Sequence, residues 1–281
     1  MKKVDLHVHS TYSDGTLTPE ELVVRAQEFG LSAMALTDHD TLAGIPSLVE
    51  AGRKYGLEVI PGVELSTFFD QKEIHIVGLY VDLANQQFQK DLEDLQDIRE
   101  HRNEIMCQKF SEIGINISYE EMLEKYKDSV ITRAHFADFL LEKGFIKSRN
   151  EAFERYIGPN GPCYVPRQKL DPADAIRMIK SAGGVPILAH PVLYHLGKEQ
   201  MHKLLDYLKA SGIVGIETVY STYSMGEEIA TRNLAHEYDL IESGGSDYHG
   251  ANKPYLEIGI GKGHLCVPYQ FLSIIKEHRG Q

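Results

Sequence analysis

Histidine and acidic residues recur at the ends of apolar runs in this chain, and their types define a chemistry. VDLHVHS carries His7 and His9, TDHD carries Asp38, His39 and Asp40, and GVELS carries Glu64. AHP carries His190, GIETVY carries Glu217, and GSDYHG carries Asp247 and His249, while His75 lies within EIHIVGLYV. Imidazole and carboxylate are the donors that hard and borderline divalent cations take. Strand side chains repeat every two residues, so His7 and His9 share a face, as do Asp247 and His249. Each fragment alone has an ordinary explanation. HxH arises by chance, His39 or Glu64 can cap or face solvent, His75 suits a core position, and His190 before Pro191 suits a turn. Burying all of them together without counter-charge costs several kcal/mol per charged group, which bound cations would offset. The pattern predicts a metal centre.

Those residues can meet only if the strand ends share one rim. In VDLHVHS, alternation places Val4, Leu6 and Val8 on one face and Asp5, His7 and His9 on the other. Thr18-Pro19-Glu20-Glu21 reads as a helix start and Gly30 as its stop. SAMALTDHD, LEVIPGVELS and EIHIVGLYV read as further strands, with a helix over 45–55. After residue 171 the alternation resumes: helices over 172–182, 198–210 and 225–238 separate the strands VPILAHP, GIVGIETVY and LIESGGSDYH. Strands separated by helices imply an α/β protein built from parallel βαβ units. Residues 85–170 break the rhythm with a long charged helix over 85–113, a helix opened by a Ser118/Glu121 capping box, and helices around 135–143 and 151–156. The expected organisation is a metal-binding domain from 1–84 plus 171–281, with 85–170 a helical insertion. The run Asp91–Glu104 reads as a solvated face. At the rim of a parallel barrel, catalytic groups are mounted at the C-terminal ends of the strands.

The 281 residues include 29 Lys and Arg against 41 Asp and Glu, a formal net charge of −12, with 13 histidines. Long double-stranded nucleic acid is therefore not an expected partner, because phosphate neutralisation needs a basic excess. No run of about 18 apolar residues suggests a membrane span. MKKVDLHVHS lacks a secretory apolar core, and three scattered cysteines give no disulfide framework, so a cytoplasmic protein is expected.

DLHVHSTYSDG, LTDHDT, GVELS, AHP and GSDYHG, in this order and spacing, resemble the PHP (polymerase and histidinol phosphatase) family of metal-dependent phosphoesterases. The similarity runs from residue 3 to about 250, and the insertion with ITRAHFADFL and GPCYVP resembles a branch acting on small molecules and nucleotides. That resemblance implies a distorted (β/α)7, TIM-like barrel and up to three divalent ions, most often manganese, with iron or zinc as other options. It implies that His7, His9, Glu64 and Asp247 hold the first ion, and that Glu64 bridges to a second held by His75 and His190. Asp14, His39 and His249 would hold the third. A bridging water at Glu64, His190 and Asp247 would attack the phosphorus, so no protein nucleophile is required. Relatives often carry histidine where Tyr223 stands.

The implied reaction is hydrolysis of a phosphomonoester, such as the 3′-phosphate of a nucleoside 3′,5′-bisphosphate, by a monomer or small homo-oligomer. Other readings are 5′-to-3′ exoribonuclease action on short RNA, an amidohydrolase-type reaction, and a non-catalytic PHP module, which missing ligands would mark. Arg133 and His135 are the expected phosphate contacts, since a guanidinium fork matches phosphate oxygens. Arg133 could instead pair with Glu124, and His135 could pack within its helix. Arg167 and Lys169 would add positive potential, and Asp5 would orient a ligand histidine.

Overall fold

A computed structural model describes residues 2–166 and 170–280. The expectations for Arg167 and Lys169 lie outside the described residues. The chain divides into two compact units, Met1–Asp91 with Lys169–Gln281, and Leu92–Gln168. The expected boundaries, 84/85 and 170/171, followed the break in the strand–helix rhythm, whereas the first division falls within helix α3 (Gln86–Glu112).

The first unit contains an eight-stranded sheet: β1 (Lys3–Asp5), β2 (Ala33–Leu36), β3 (Glu58–Phe69), β4 (Lys72–Leu79), β5 (Val185–Leu188), β6 (Gly215–Tyr220), β7 (Ile241–Gly245) and β8 (Val267–Pro268). Their order is β7-β6-β5-β4-β3-β2-β1-β8. The sheet curls until its ends meet: Leu6 N–H donates to Gly244 O at 3.2 Å, Asp247 N–H to His7 O at 2.8 Å, and Val8 bridges Tyr248 in parallel. Helices α1 (Pro19–Glu28) and α2 (Ile45–Tyr55) cover one side, and α7 (Pro172–Ser181), α8 (Lys198–Ala210) and α9 (Met225–Glu237) follow the later strand order. The barrel of the sequence expectation is therefore present, with the short β8, antiparallel to β1, as an eighth strand.

Two local expectations need correction. The sheet is not wholly parallel, because β4 runs antiparallel to both β3 and β5. Only Asp70 and Gln71 separate β3 from β4, both with positive φ, and a two-residue connection makes a hairpin rather than a crossover. The alternation of the first strand also ends early. Val4 and Leu6 pack in the barrel core with Ile60, Leu79 and Ile187, whereas Val8 joins Leu22, Leu36 and Leu48 beneath α1 and α2. Strand β1 stops at Asp5, so the chain turns before His7.

Helix α10 (Tyr269–Glu277), beyond the last expected strand, sets Phe271, Leu272 and Ile275 into the same core as Val4 and Val77. The second unit has its own core, where Phe110 of α3 meets Phe136 and Leu140 of α5 (Arg133–Glu142). Two smaller helices, α4 (Tyr119–Lys125) and α6 (Arg149–Ala152), belong to this unit. The capping box at Ser118 is only half formed: Ser118 Oγ accepts from Glu121 N–H, but the Glu121 carboxylate pairs with Lys143. The charged run is not wholly solvated either. Arg99, Arg102 and Asn103 are buried, and Arg102 donates to Asn103 Oδ1 at 2.7 Å. Among the described residues, no helix is long and apolar enough to cross a membrane.

Closure depends on Gly245, where a Cβ would stand 2.4 Å from the Cβ of His7. Gly245→Ala should therefore destabilise the barrel by about 1–3 kcal/mol, the range for overpacking. A denaturant midpoint unchanged from wild type would refute this role.

Candidate metal centre

Each strand delivers its donor to one end of the barrel by a different local route. His7 and His9 follow β1, their rings 5.2 Å apart. Asp14 sits in the loop before α1, and His39 follows β2 with a backbone bridge to Glu64. Glu64 lies inside β3 rather than at its end, because β3 continues into the hairpin. The reversed β4 then brings His75 opposite Ser66, which explains how a mid-strand histidine reaches the same end. His190 follows β5, and Asp247 and His249 follow β7. His190 (φ 27°) and Asp247 (φ 52°) both adopt left-handed backbone, a strain of about 1–3 kcal/mol each that surrounding bonds must hold.

The nine sequence-named residues come together. His75 Nδ1 lies 2.8 Å and His190 Nε2 3.0 Å from Glu64 Oε1. His9 Nε2 and His39 Nδ1 both lie 3.2 Å from Glu64 Oε2, and His7 Nε2 lies 3.3 Å from it. His9 Nε2 is also 3.3 Å from Asp247 Oδ1, and His249 Nε2 is 3.2 Å from Asp14 Oδ1. Donor atoms converge in overlapping groups: His9, Asp14, His39 and His249; His7, His9 and Asp247; His7, Glu64 and His190; and His39, Glu64 and His75.

Outer contacts fix which nitrogen faces inward. His7 Nδ1–H donates to Glu217 Oε1 at 2.9 Å, leaving Nε2 directed at the cluster. Oε2 of Glu217 accepts the His190 backbone N–H at 2.6 Å, so one carboxylate orients a ring and holds a strained backbone. His249 Nδ1–H donates to the Asp247 carbonyl at 2.8 Å. Asp38 accepts from the Ser10 backbone N–H at 2.8 Å and from the Ser13 hydroxyl at 2.6 Å, bracing the loop that leads to Asp14. Tyr220 OH and Lys253 Nζ both donate to Asp247 Oδ2, at 2.5 and 2.6 Å, leaving Oδ1 for the cluster.

Buried polar atoms without hydrogen-bond partners include His7 Nε2, His9 Nε2 and His39 Nδ1. Adjacent donors on one ion, with bonds of about 2.0–2.2 Å, lie about 3–3.5 Å apart, which matches the separations here. The residues therefore fit divalent ions, and the imidazole–carboxylate set without thiolate suits manganese, iron or zinc. Burial alone would raise the Glu64 carboxyl, but the imidazoles of His75, His7 and His39 hold it well below the usual range. Burial likewise opposes ionisation of Asp247, yet Lys253, His249 and His7 keep it far below. Burial disfavours charge on His9 as well, but the Asp247 and Glu64 carboxylates beside its Nε2 raise it to about 9.

Several expectations fall elsewhere. Asp5 holds a ligand histidine by its backbone rather than its ring: the carboxylate accepts the His7 N–H at 3.4 Å and those of Ser246 and Gly259 at 2.8 Å each, and thereby ties β1 to the loops beyond β7. Glu217 is the carboxylate that orients a histidine. Tyr223 is buried, and its hydroxyl accepts from Val192 N–H at 3.2 Å, bracing the turn after His190. His135 is a helix cap, with Nδ1 accepting from Thr132 N–H at 2.9 Å. Arg133, at the start of α5 in the second unit, places its guanidinium 5.9 Å from the ring centre of Tyr164. The sequence reading gave no role to Tyr220 or Lys253. Tyr220 at the end of β6, in register with Gly245, was a usable signal; Lys253 in an irregular loop offered none.

The PHP domain model matches residues 5–157, more than half of the chain, which takes in the donors from His7 to His75. The relatives extend over the later donors. A 5′-3′ exoribonuclease of Haemophilus influenzae is 38% identical, covering 88% of this chain and 90% of its own length. The chain belongs to the PHP family of metal-dependent phosphoesterases. A 3′,5′-nucleoside bisphosphate phosphatase of Chromobacterium violaceum is 32% identical over 92% of this chain and 91% of its own. A solved structure from Bifidobacterium adolescentis, assigned as a metal-dependent phosphoesterase, superposes with a TM-score of 0.88 at 28% identity, covering 99% of this chain and 96% of that one. This PHP protein is accordingly a metal-dependent phosphoester hydrolase.

Glu217→Gln keeps the size of the side chain but removes the charge that fixes the His7 ring. Metal affinity should fall by about 10–100-fold. Titration of the metal-free protein checks this, and an unchanged affinity would place Glu217 outside the centre.

Proposed function

We propose that this PHP protein hydrolyses a phosphomonoester of a nucleotide or similar small molecule, the 3′-phosphate of a nucleoside 3′,5′-bisphosphate being the leading candidate. The observation that carries the reading is Glu64, whose two oxygens face five imidazoles at 2.8–3.3 Å and so join adjacent donor groups. His7, His9, Glu64 and Asp247 would hold the first ion, Glu64 with His75 and His190 the second, and Asp14, His39 and His249 the third, with manganese the leading candidate. Bound ions would polarise the phosphoryl oxygens and supply a water nucleophile at neutral pH. Glu64, His190 and Asp247 would hold that water. Glu217 keeps His7 in one tautomer throughout, and Tyr220 with Lys253 holds Asp247 to one orientation. In this reading Arg133 contributes to substrate preference, while His135, occupied as a cap, shapes the start of its helix.

A second reading, 5′-to-3′ exoribonuclease action on short RNA, is favoured by the 38% identity to the Haemophilus protein against 32% to the Chromobacterium phosphatase. Both readings use the same P–O bond chemistry and differ in whether the substrate extends beyond a single nucleotide.

Phosphate and nucleotide release by the manganese-loaded protein, measured on nucleoside bisphosphates, sugar phosphates and 5′-phosphorylated short oligoribonucleotides, separates them. Turnover restricted to the bisphosphates supports the phosphatase, and stepwise mononucleotide release supports the exoribonuclease. Glu64→Gln should lose bound metal and at least about 100-fold of hydrolysis together, exceeding the effect typical of outer contacts. Full turnover in that variant would count against the centre. Arg133→Ala should impair bisphosphate use far more than p-nitrophenyl phosphate use; equal loss on both removes Arg133 from the specificity role.

A further inference from the structure

We propose that Lys253 contacts the phosphoryl group undergoing hydrolysis, an inference that rests on the phosphoester reading above. Its Nζ lies 2.6 Å from Asp247 Oδ2, so it brings an ammonium directly against the donor cluster. Holding Asp247 does not require it, because the Tyr220 hydroxyl already donates to the same oxygen at 2.5 Å from a fully packed position. The two side chains differ in access. Tyr220 is 2% exposed, whereas the Lys253 side chain is 29% exposed. An ammonium carries three donors, and one of them is directed at Asp247. The side chain thus reaches the cluster and solvent at once, which is the position a phosphate-contacting cation needs.

The loop that presents Lys253 is fixed to the segment bearing Asp14. Ala251 N–H donates to Thr16 Oγ1 at 2.8 Å, and Asn252 Nδ2 donates to the Asp14 carbonyl at 2.8 Å. Lys253 N–H closes the turn on Gly250 O at 3.1 Å. The ammonium is consequently positioned before substrate arrives, so little ordering entropy is left to lose on binding. A compact ammonium suits a phosphate oxygen as a point charge, without demanding the bidentate geometry of arginine. The ligand class is a tetrahedral phosphate: the scissile group of a phosphomonoester, or that of a terminal nucleotide.

The test compares wild type, Lys253→Met and Lys253→Arg, each loaded with manganese. Bound metal per chain is measured by elemental analysis, inorganic phosphate affinity by calorimetry, and KM and kcat on p-nitrophenyl phosphate. Lys253→Met should keep its metal, bind phosphate about tenfold more weakly or worse, and raise KM, while Lys253→Arg recovers most of the affinity. Phosphate binding equal to wild type in Lys253→Met overturns the proposal. Loss of metal in parallel with phosphate also overturns it, since Lys253 would then act only by holding Asp247. If wild type turns over phosphomonoesters and Lys253→Met is indistinguishable, this inference alone fails. If wild type hydrolyses no phosphoester while Lys253→Met still weakens phosphate binding, the functional reading fails and the contact stands.

Discussion

A single buried carboxylate organises this protein. Glu64 is 1% exposed and has five imidazoles within 3.3 Å of its oxygens, drawn from β4 and from the segments after β1, β2 and β5. An isolated carboxylate at that depth would be protonated or would unfold its surroundings, because its desolvation has no compensation. The imidazoles keep it ionised, and divalent ions satisfy both sides more fully, since each ligand nitrogen must be neutral to coordinate. The closed barrel, the strained backbone at His190 and Asp247 and the glycine opposite His7 all place donors around this one group.

The reversed β4 is the architectural device that makes the arrangement reachable. In a uniformly parallel barrel the donors come from strand ends and the loops after them. The Asp70-Gln71 hairpin lets β3 and β4 run past the rim together, so Glu64 and His75 come from strand interiors with rigid backbones. The remaining donors sit on short loops, and those loops are pinned by outer carboxylates: Glu217 at His7 and His190, Asp38 at Ser10 and Ser13, and Asp5 at Ser246 and Gly259. Metal-site precision thus comes from two sources, strand geometry for the bridging group and buried hydrogen bonds for the rest.

Charge explains how a chain of net −12 can belong to a family that handles anionic esters. Only three of the nine clustered donors are carboxylates, Asp14, Glu64 and Asp247. Divalent ions held by a donor set dominated by neutral imidazole would leave a local positive field that the overall acidity does not cancel.

Eight of the nine clustered residues were legible from residue type, since an ion site needs imidazoles and carboxylates and these punctuate the strands; Asp14, in a loop, entered only through the family resemblance. The helices were legible too, since caps and apolar periodicity are local, as at Thr18 and Pro19 of α1. What the sequence misjudged was direction and partnership. Asp5 alternates with Val4 and Leu6 as a ligand-side residue should, yet its shortest hydrogen bonds go to backbone amides over 240 positions away. Glu217, Tyr220 and Lys253 acquire their roles only when β6, β7 and the loop after His249 are laid side by side. Residue types were set by the local demands of coordination and helix capping, which act over a few bonds. Which carboxylate meets five imidazoles, which one orients a ring, and which ammonium meets Asp247 were decided by barrel closure, because only packing brings distant backbone segments within hydrogen-bonding range.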